Sequence, residues 1–360
     1  MIQENYILSL HSGSSIRNVA VALVKTDGLD IWDTPKSFHR PFPEELQENF
    51  LQAKNPTLAD EEKIKELDTQ TTLFFIDVLN EAFQKWPEIP VQYIVVSGIF
   101  LSLSAQQHHA IELGNLQQIA NTFQKPVIGR FVQSDMNAGG TGSPLLSVFW
   151  QQMTKNLDKP LGVVGLGSVL KLTYIGENGE LGACDIGVGL SLIEKWMHIH
   201  GPQSEDEIGT FAAKGKPDLK VVKALMNTPF LSQPPPKAIH RNDFDDLLEQ
   251  LEGLSLSDGC ATLIEFIVQM IEQSAHFFTP KIEQWLFIGS GRKNTTLMLQ
   301  LAQRLKKVYR CEEVLPFHSY LNAVGYAFLC GRFLADLPIS LPTTTGSDVP
   351  MTCGMLFSPK

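Results

Sequence analysis

Short apolar runs separated by small polar residues form the start of the chain. Residues 6–10 and 19–25 are mostly apolar, and they flank the turn His11-Ser12-Gly13-Ser14-Ser15. Asp27-Gly28 is a tight-turn signal before a third apolar run at 29–32. Apolar runs bounded by such turn residues are typical of β-strands. The pattern therefore predicts an antiparallel meander of three strands.

Helical and strand patterns alternate along the next part of the chain. Apolar positions recur at helical spacing over 58–83, and a β-branched run at 91–96 predicts a buried central strand. A second helix is predicted at 113–123 and a further strand at 126–132. This order predicts a mixed sheet with helical crossovers.

The same order of patterns returns after a polar stretch at 151–160. It comprises predicted strands at 161–164, 169–175 and 181–184, with turns at 165–168 and 177–179. Because the two halves begin alike, the sequence predicts a duplicated α/β fold with domains at 1–155 and 156–360 and a cleft between them. The later predicted elements are a strand at 284–288 and helices at 218–226, 243–251, 257–274, 295–307 and 321–334. The tail at 337–360 is expected to pack back on the body.

Three glycine-rich turns follow predicted strands, at 12–15, 165–168 and Gly289-Ser290-Gly291. Such turns present backbone amides and hydroxyls to phosphate oxygens, although a single one often only reverses the chain. The sequence contains neither a Walker phosphate loop nor a dinucleotide fingerprint after its first strand. As a spaced set, the three turns indicate a nucleotide site.

Asp185 lies in the glycine-rich stretch 179–189, at the end of a predicted strand and before a predicted helix. Glycines on both sides allow backbone or substrate to approach a carboxylate closely, which suits a general base. Alternatively, Asp185 caps the helix at 190–200, since aspartate at a helix start accepts amide hydrogen bonds. Local pattern alone leaves both interpretations open.

Composition excludes several classes of partner. The formal net charge is −10, with 43% hydrophobic and 19% charged residues in 360. Nucleic acid and anionic membranes are therefore not expected as main partners, because phosphate backbones and anionic headgroups are bound through clustered Lys and Arg. Neither a basic leader with a long apolar core nor an apolar stretch of roughly 18 residues occurs, so a cytoplasmic protein is expected. The five cysteines are scattered, which predicts free thiols and no zinc site.

Five short motifs lie in order along the chain. They are Ser12-Gly13-Ser14-Ser15-Ile16; Gly129-x-Phe131 with Asp135 and Gly139-Gly140-x-Gly142-x-Pro144-Leu145; Asp185-x-Gly187-x-Gly189; Ser232-Gln233-Pro234-x-Pro236-Lys237; and Gly289-x-Gly291-x-x-Asn294. Their order and spacing resemble those of the anhydro-N-acetylmuramic acid kinases, a family within the actin-like sugar kinase superfamily. The corresponding family motifs include Ser-Gly-Thr-Ser-Leu, Asp-Thr-Gly-Pro-Gly and Ser-Gln-Pro-x-Pro-Lys.

The resemblance implies a two-domain actin-like (ribonuclease H-like) fold and a kinase of peptidoglycan recycling. Such an enzyme uses ATP and Mg²⁺ to phosphorylate 1,6-anhydro-N-acetylmuramic acid at O6 while water opens the anhydro ring. Asp185 matches the base that activates the water. The implied nucleotide-binding residues are Ser12, Gly13, Ser14, Ser15, Gly167, Ser168, Gly289, Gly291 and Asn294. The implied substrate-binding residues are Ser97, Gly98, Asp135, Gly187 and Gly189.

Several positions depart from the family pattern. Arg17-Asn18 stands where the family has Asp-Gly, and Asn322 stands where an acidic residue is usual. Both changes remove carboxylates expected near Mg²⁺ and phosphate, and no metal ligand is predicted in their place beyond the alternatives Asp135 and Glu194. Two hypotheses stay open: a divergent sugar kinase with Asp185 as base, and a catalytically impaired relative that keeps the fold for ligand binding or assembly. Because family members are often dimers, a homodimer is one expected assembly.

Overall fold

The chain forms two compact units in the computed structural model, which describes residues 4–13, 16–53, 61–104, 109–201 and 208–360. The first unit comprises Met1–Gln152, Pro316–Pro342 and Gly346–Lys360, and the second comprises Met153–Leu315 and Thr343–Thr345. The expected second domain at 156–360 therefore needs a correction. The last long helix and most of the tail belong to the first unit, because that helix packs on the first two strands.

The strands lie as follows: β1 Asn5–Ser12, β2 Asn18–Thr26, β3 Ile31–Pro41, β4 Tyr93–Ser97, β5 Ile99–Ser104, β6 His109–Leu113, β7 Val127–Gly129, β8 Leu161–Leu166, β9 Val169–Ile175, β10 Leu181–Val188, β11 Gln284–Ile288, β12 Val308–Arg310 and β13 Met355–Phe357. The helices are α1 Glu44–Gln52, α2 Glu61–Lys85, α3 Leu116–Phe123, α4 Phe131–Asn137, α5 Ser147–Met153, α6 Leu190–His200, α7 Thr210–Lys214, α8 Leu219–Leu225, α9 Pro229–Ser232, α10 Leu256–Ser274, α11 Thr295–Arg304, α12 Cys311–Val314 and α13 Leu321–Leu334. None of the helices in the described ranges combines the length and apolarity needed to cross a bilayer.

The two units have the same sheet topology. The first sheet has the order β3-β2-β1-β4-β7-β13, and the second has the order β10-β9-β8-β11-β12. In each, three antiparallel strands form a meander, and the first of them pairs in parallel with the next strand after a helical crossover. The predicted α/β class with duplicated mixed sheets is confirmed.

Several predicted elements change at their ends or in type. The predicted strand at 126–132 stops at Gly129, where Arg130 adopts a left-handed conformation and α4 begins. The predicted helix at 243–251 is a 3-10 helix at Asp245–Leu251. The hairpin of β5 and β6 was not predicted, because its alternation is short and interrupted by polar residues.

Each unit has its own hydrophobic core. In the first unit, α2 packs its apolar face against the sheet, and Phe75, Val78 and Leu79 are fully buried. In the second, α10 is apolar on nearly all faces and lies within the core beside β10. All five cysteines are free and buried, which confirms the expectation of free thiols.

Candidate active site

Asp185 lies on β10 at a β-bulge, where the pairing with β9 shifts between Asp185 and Gly187. Its side chain is 0% exposed. Oδ1 accepts a hydrogen bond from Lys171 Nζ at 2.8 Å, and Oδ2 accepts one from the Ile239 backbone N–H at 3.1 Å. The helix-cap interpretation is wrong, because α6 starts after Gly189 and has no side-chain cap. The bulge instead fixes a buried carboxylate within the sheet.

The proline-rich crossing before Lys237 holds Asp185 in place. The Asp185 N–H donates to the Lys237 carbonyl at 2.9 Å, and two residues later the Ile239 N–H donates to the Asp185 carboxylate. Lys237 Nζ donates to the carbonyls of Phe230 and Leu231, at 2.9 and 3.2 Å. Burial lowers the pKa of Lys237. The motif at 232–237 is therefore a structural brace for the candidate base.

The turn at Gly167 and Ser168 meets the end of the Asp185 motif. The Gly189 N–H donates to the Ser168 carbonyl at 2.8 Å, and the Leu190 N–H donates to the Gly167 carbonyl at 3.0 Å. A Cβ on Gly189 would lie 2.6 Å from Leu170 Cδ2 and 3.0 Å from the Gly167 carbonyl oxygen. The close contact explains why a glycine stands at 189. Gly187 is similarly crowded, with a hypothetical Cβ 2.8 Å from Met270 Sδ.

Gly289 and Gly291 pack on the same turn from the end of β11. Gly289 has φ +86°, and a Cβ there would lie 2.7 Å from the Leu166 carbonyl oxygen. A Cβ on Gly291 would lie 2.8 Å from Leu166 Cβ. Three glycine segments that are distant in sequence thus converge beside the end of β8. The predicted nucleotide residues Gly167, Gly289 and Gly291 therefore lie close to one another, and their contact with a nucleotide stays a prediction.

Asn294 and Arg292 support this glycine cluster. Asn294 is buried, and its Oδ1 accepts the Leu297 N–H at 2.9 Å as the N-cap of α11. Arg292 donates to the Gly289 carbonyl and to Glu312 Oε2, both at 2.7 Å. Burial acts to raise the pKa of Glu312, but hydrogen bonds from Arg292 and Cys311 outweigh it and lower the pKa to about 2. The role of Asn294 toward a nucleotide stays a prediction.

The first unit places Ser12 and Ser97 at the ends of paired strands. β1 and β4 are parallel, with His11 opposite Ser97, and Ser12 and Ser97 are both buried. Gly13 follows β1 in open space, with nothing within 4 Å of a hypothetical Cβ. The predicted phosphate residues Ser14 and Ser15 lie outside the described residues. Contact of Gly13 with a phosphate group stays a prediction.

His11 lies in a neutral network that sequence reasoning missed. Its Nδ1 is 3.2 Å from Ser97 Oγ, and its Nε2 is 3.5 Å from Asn322 Nδ2. Its ring stacks on Tyr326 with centroids 5.1 Å apart. Burial lowers the pKa of His11 to about 4 and raises that of Tyr326 to about 12. Near neutral pH this network carries no charge.

The charged side chains next to Ser97 form hydrogen bonds with backbone groups of the neighbouring loops. Gly98 donates its N–H to Glu112 Oε1 at 2.8 Å, and Arg130 Nη1 lies 3.4 Å from Glu112 Oε2. Arg130 also donates to the carbonyls of Glu112 and Gly114, at 2.7 and 2.6 Å. Burial raises the pKa of Glu112 against the opposing effect of Arg130. The Arg130 guanidinium therefore stabilises the backbone around Glu112 and Gly114 through hydrogen bonds.

Asp135 organises the glycine loop that follows it. The residue is 0% exposed, and its Oδ2 accepts the Gly142 N–H at 2.7 Å. A Cβ on Gly140 would lie 2.2 Å from that oxygen, so only glycine fits there. Asp135 as a substrate ligand stays a prediction.

The described residues do not fit a Mg²⁺ site built from protein carboxylates. They contain no group of three or more His, Cys, Asp and Glu placed to hold a metal. Of the two alternative ligands, Asp135 binds the Gly142 amide, and Glu194 lies 3.5 Å from Arg241. We therefore assign no chemical step to Mg²⁺.

Lys171 was missed by the sequence analysis, although a signal for it exists. It lies directly opposite Asp185 in the β9–β10 register. Opposite charges facing each other across an antiparallel pair stabilise the sheet. Counting the register back from the turn at 177–179 would have placed the two residues together.

The family model and the curated relatives point to one family. The family model described as anhydro-N-acetylmuramic acid kinase matches residues 5–359. The chain is 31% identical over 367 residues to the anhydro-N-acetylmuramic acid kinase of Zymomonas mobilis, covering 97% of this chain and 98% of that protein. It is 29% identical over 352 residues to the protein of the same name from Paramagnetospirillum magneticum, covering 96% and 98%. Among solved structures, component A of the Acidaminococcus fermentans (R)-2-hydroxyglutaryl-CoA dehydratase matches with a TM-score of 0.42 at 11% identity, covering 92% and 99%.

Proposed function

Because the chain belongs to the anhydro-N-acetylmuramic acid kinase family, we propose that it phosphorylates 1,6-anhydro-N-acetylmuramic acid at O6 with ATP while water opens the anhydro ring. The observation that carries this proposal is Asp185, a buried carboxylate held at a β-bulge within hydrogen-bond reach of Lys171 and Ile239. A general base needs such a fixed orientation toward the proton that it removes.

The proposed step is one coupled displacement. The oxygen of water attacks C1 of the sugar and gives a proton to Asp185, and the bond between C1 and O6 breaks. O6 takes the γ-phosphoryl group, and ADP leaves with the electron pair of the broken phosphoanhydride bond. The products are a ring-opened 6-phosphate sugar and ADP. Phosphoryl transfer of this kind depends mainly on positioning and on stabilisation of the charge on the phosphate oxygens.

The glycine segments supply the proposed nucleotide contacts. In the second unit these are Gly167 and Ser168 with Gly289, Gly291 and the cap residue Asn294. Glycine at these positions lets backbone amides approach phosphate oxygens without a side chain between them. In the first unit the proposed contacts are the turn residues 12–15, of which Gly13 has open space around it.

The proposed sugar contacts are the substrate-side residues of the two units. Ser97, Gly98 and Asp135 lie in the first unit, where Ser97 shares a hydrogen bond with His11. Gly187 and Gly189 lie in the second unit, on the stretch that begins at Asp185.

A second candidate function is a non-catalytic relative that keeps the fold for ligand binding or assembly. The observation that favours it is the enclosure of Asp185, which is 0% exposed and already paired with Lys171. A base that deprotonates water must contact that water. The two candidates therefore make opposite predictions for turnover.

Turnover of the wild-type chain distinguishes the candidates. Purified protein with Mg²⁺, ATP and 1,6-anhydro-N-acetylmuramic acid is expected to release ADP in equal amount to a ring-opened 6-phosphate sugar, measured by coupled assay and mass spectrometry. ATP alone is expected to raise the melting temperature, because it binds the folded state. A raised melting temperature without sugar product would favour the non-catalytic candidate. If neither turnover nor a raised melting temperature is measured, both candidate functions are contradicted.

A further inference from the structure

Lys171 and Asp185 form an ion pair whose two partners differ sharply in exposure. Nζ and Oδ1 are 2.8 Å apart, yet the Lys171 side chain is 43% exposed and the Asp185 side chain is 0% exposed. Their residues face each other in the antiparallel register of β9 and β10. A half-exposed cation therefore reaches from solvent to a fully buried carboxylate.

A buried carboxylate depends on such a partner. Moving an ionised carboxylate into a low-dielectric interior is costly unless a cation or several hydrogen bonds compensate it, and the alternative is the protonated form. A protonated carboxylate cannot remove a proton from water. Removing the Lys171 ammonium would leave the fully buried Asp185 carboxylate without this compensating contact.

Lys237, the other ammonium close to this site, is directed elsewhere. Its Nζ donates to the carbonyls of Phe230 and Leu231 and lies 4.6 and 4.7 Å from the ring centroids of Phe230 and Phe277. It braces the proline-rich crossing. Ile239 contributes only a neutral amide to Asp185. Lys171 donates directly to Oδ1, and Lys237 acts on Asp185 through its charge as well.

We propose that Lys171 is a positioning residue for Asp185: it compensates the buried charge and orients the carboxylate for the proposed reaction, on which this inference rests. Nothing in the family motifs quoted above includes this lysine. In addition to pairing within the sheet, β9 then serves the reaction by placing Lys171 beside Asp185.

The chain provides a matched control. Lys306 and Glu283 form an ion pair in the same unit with Nζ and Oε2 2.9 Å apart, and their side chains are 72% and 50% exposed. An exposed pair contributes little to stability because water and salt screen it. Lys306→Met therefore removes the same side chain from a similar distance without uncovering a buried charge.

Steady-state kinetics test the positioning role. Lys171→Met is expected to lower kcat by about 100-fold or more while KM for the sugar changes by less than about threefold, because the loss falls on the base and not on binding. Lys171→Arg, which keeps the charge, is expected to recover at least about a tenth of the wild-type kcat. Lys306→Met is expected to match the wild type. A kcat for Lys171→Met within about twofold of the wild type would overturn the proposal.

Two further measurements keep the result decisive. If Lys171→Met does not fold, Lys171→Gln is compared with Lys171→Arg, and equal kcat values for these two would overturn the proposal.

If the wild-type chain shows no turnover, the proposed function has failed, and a thermal double-mutant cycle tests the ion pair separately. Asp185→Asn is expected to relieve most of the melting-temperature loss caused by Lys171→Met, because a neutral side chain needs no counterion. Additive losses would overturn the dependence of Asp185 on Lys171.

Discussion

The two units share a strand order but use their charged residues differently. In the second unit, Asp185 is a buried carboxylate tied to the half-exposed Lys171 across two strands. In the first, Arg130 and Glu112 satisfy backbone groups of neighbouring loops. The same topology thus supports a candidate reactive charge in one unit and a set of internal braces in the other.

The first unit gathers an uncharged set of polar side chains on a different strand, because β1 corresponds in sheet order to β8, whereas Asp185 lies on β10. His11, Ser97, Asn322 and Tyr326 form a stacked and hydrogen-bonded network at the end of β1. Such a network fixes side chains without a net charge. The difference teaches that strand topology fixes where polar groups gather, while the residues at the strand ends decide whether they can do acid–base chemistry.

The largest effect is expected from removing the charge in the second unit. Asp185→Asn keeps the size of the side chain but cannot accept a proton from water, so kcat for ADP release should fall by about 100-fold or more. Coupled ADP assays would measure this loss. The matched surface substitution is Asp30→Asn, which changes a partly exposed carboxylate bonded to Gln152 and should leave kcat within about twofold of the wild type. Full activity in Asp185→Asn would remove the proposed contrast between the units.

The neutral network of the first unit should make stability depend on acid pH. The pKa of His11 is lowered from 6.5 to about 4 by burial, so between those values the unfolded chain binds a proton that the folded chain does not. Stability is therefore lost as pH falls from about 6.5 to about 4, by up to about 3 kcal/mol. The free energy of unfolding in urea at several pH values would measure it.

The substitution His11→Gln isolates this contribution. The variant should lose less unfolding free energy than the wild type over the same pH range, because it lacks the titrating ring. His318→Gln supplies the matched substitution of an exposed histidine. Equal acid sensitivity in His11→Gln and the wild type would show that the network of the first unit does not depend on a neutral His11.

An effect of similar size is expected at the glycine cluster of the second unit. Gly289→Ala combines a positive φ with a Cβ 2.7 Å from the Leu166 carbonyl oxygen, and should cost about 3 kcal/mol. Gly253 has nearly the same φ, +85°, but nothing within 4 Å of its hypothetical Cβ, so Gly253→Ala should cost only about 1 kcal/mol. Urea unfolding of both variants would measure the difference. Equal costs would mean that backbone conformation alone, and not the close packing of the turns, explains the glycine at 289.

Sequence patterns predicted the parts of the molecule that local chemistry determines. The meanders followed from apolar runs between turn residues, and the crowded glycines at 189 and 289 stood at strand ends where glycine alone fits. The brace at 232–237 was visible as a motif, but its contact with Asp185 was not. That contact depends on a chain crossing far from Asp185 in sequence.

Long-range pairing explains what the sequence analysis missed. Lys171 meets Asp185 only through the register of β9 and β10, and α13 joins the first unit only through packing on β1 and β2. The low pKa of His11 follows from burial under Tyr326, a residue more than three hundred positions away. Local propensity contains no information about such neighbours.

Isotope labelling tests the central claim most directly, because it follows the water that Asp185 is proposed to activate. The reaction is run in oxygen-18-labelled water with ATP and 1,6-anhydro-N-acetylmuramic acid, and the phosphorylated sugar is analysed by mass spectrometry. The account predicts one labelled oxygen at C1, none in the phosphoryl group, and formation of this product about 100-fold or more slower by Asp185→Asn. Release of labelled inorganic phosphate without a ring-opened sugar phosphate, or full product formation by Asp185→Asn, would contradict it.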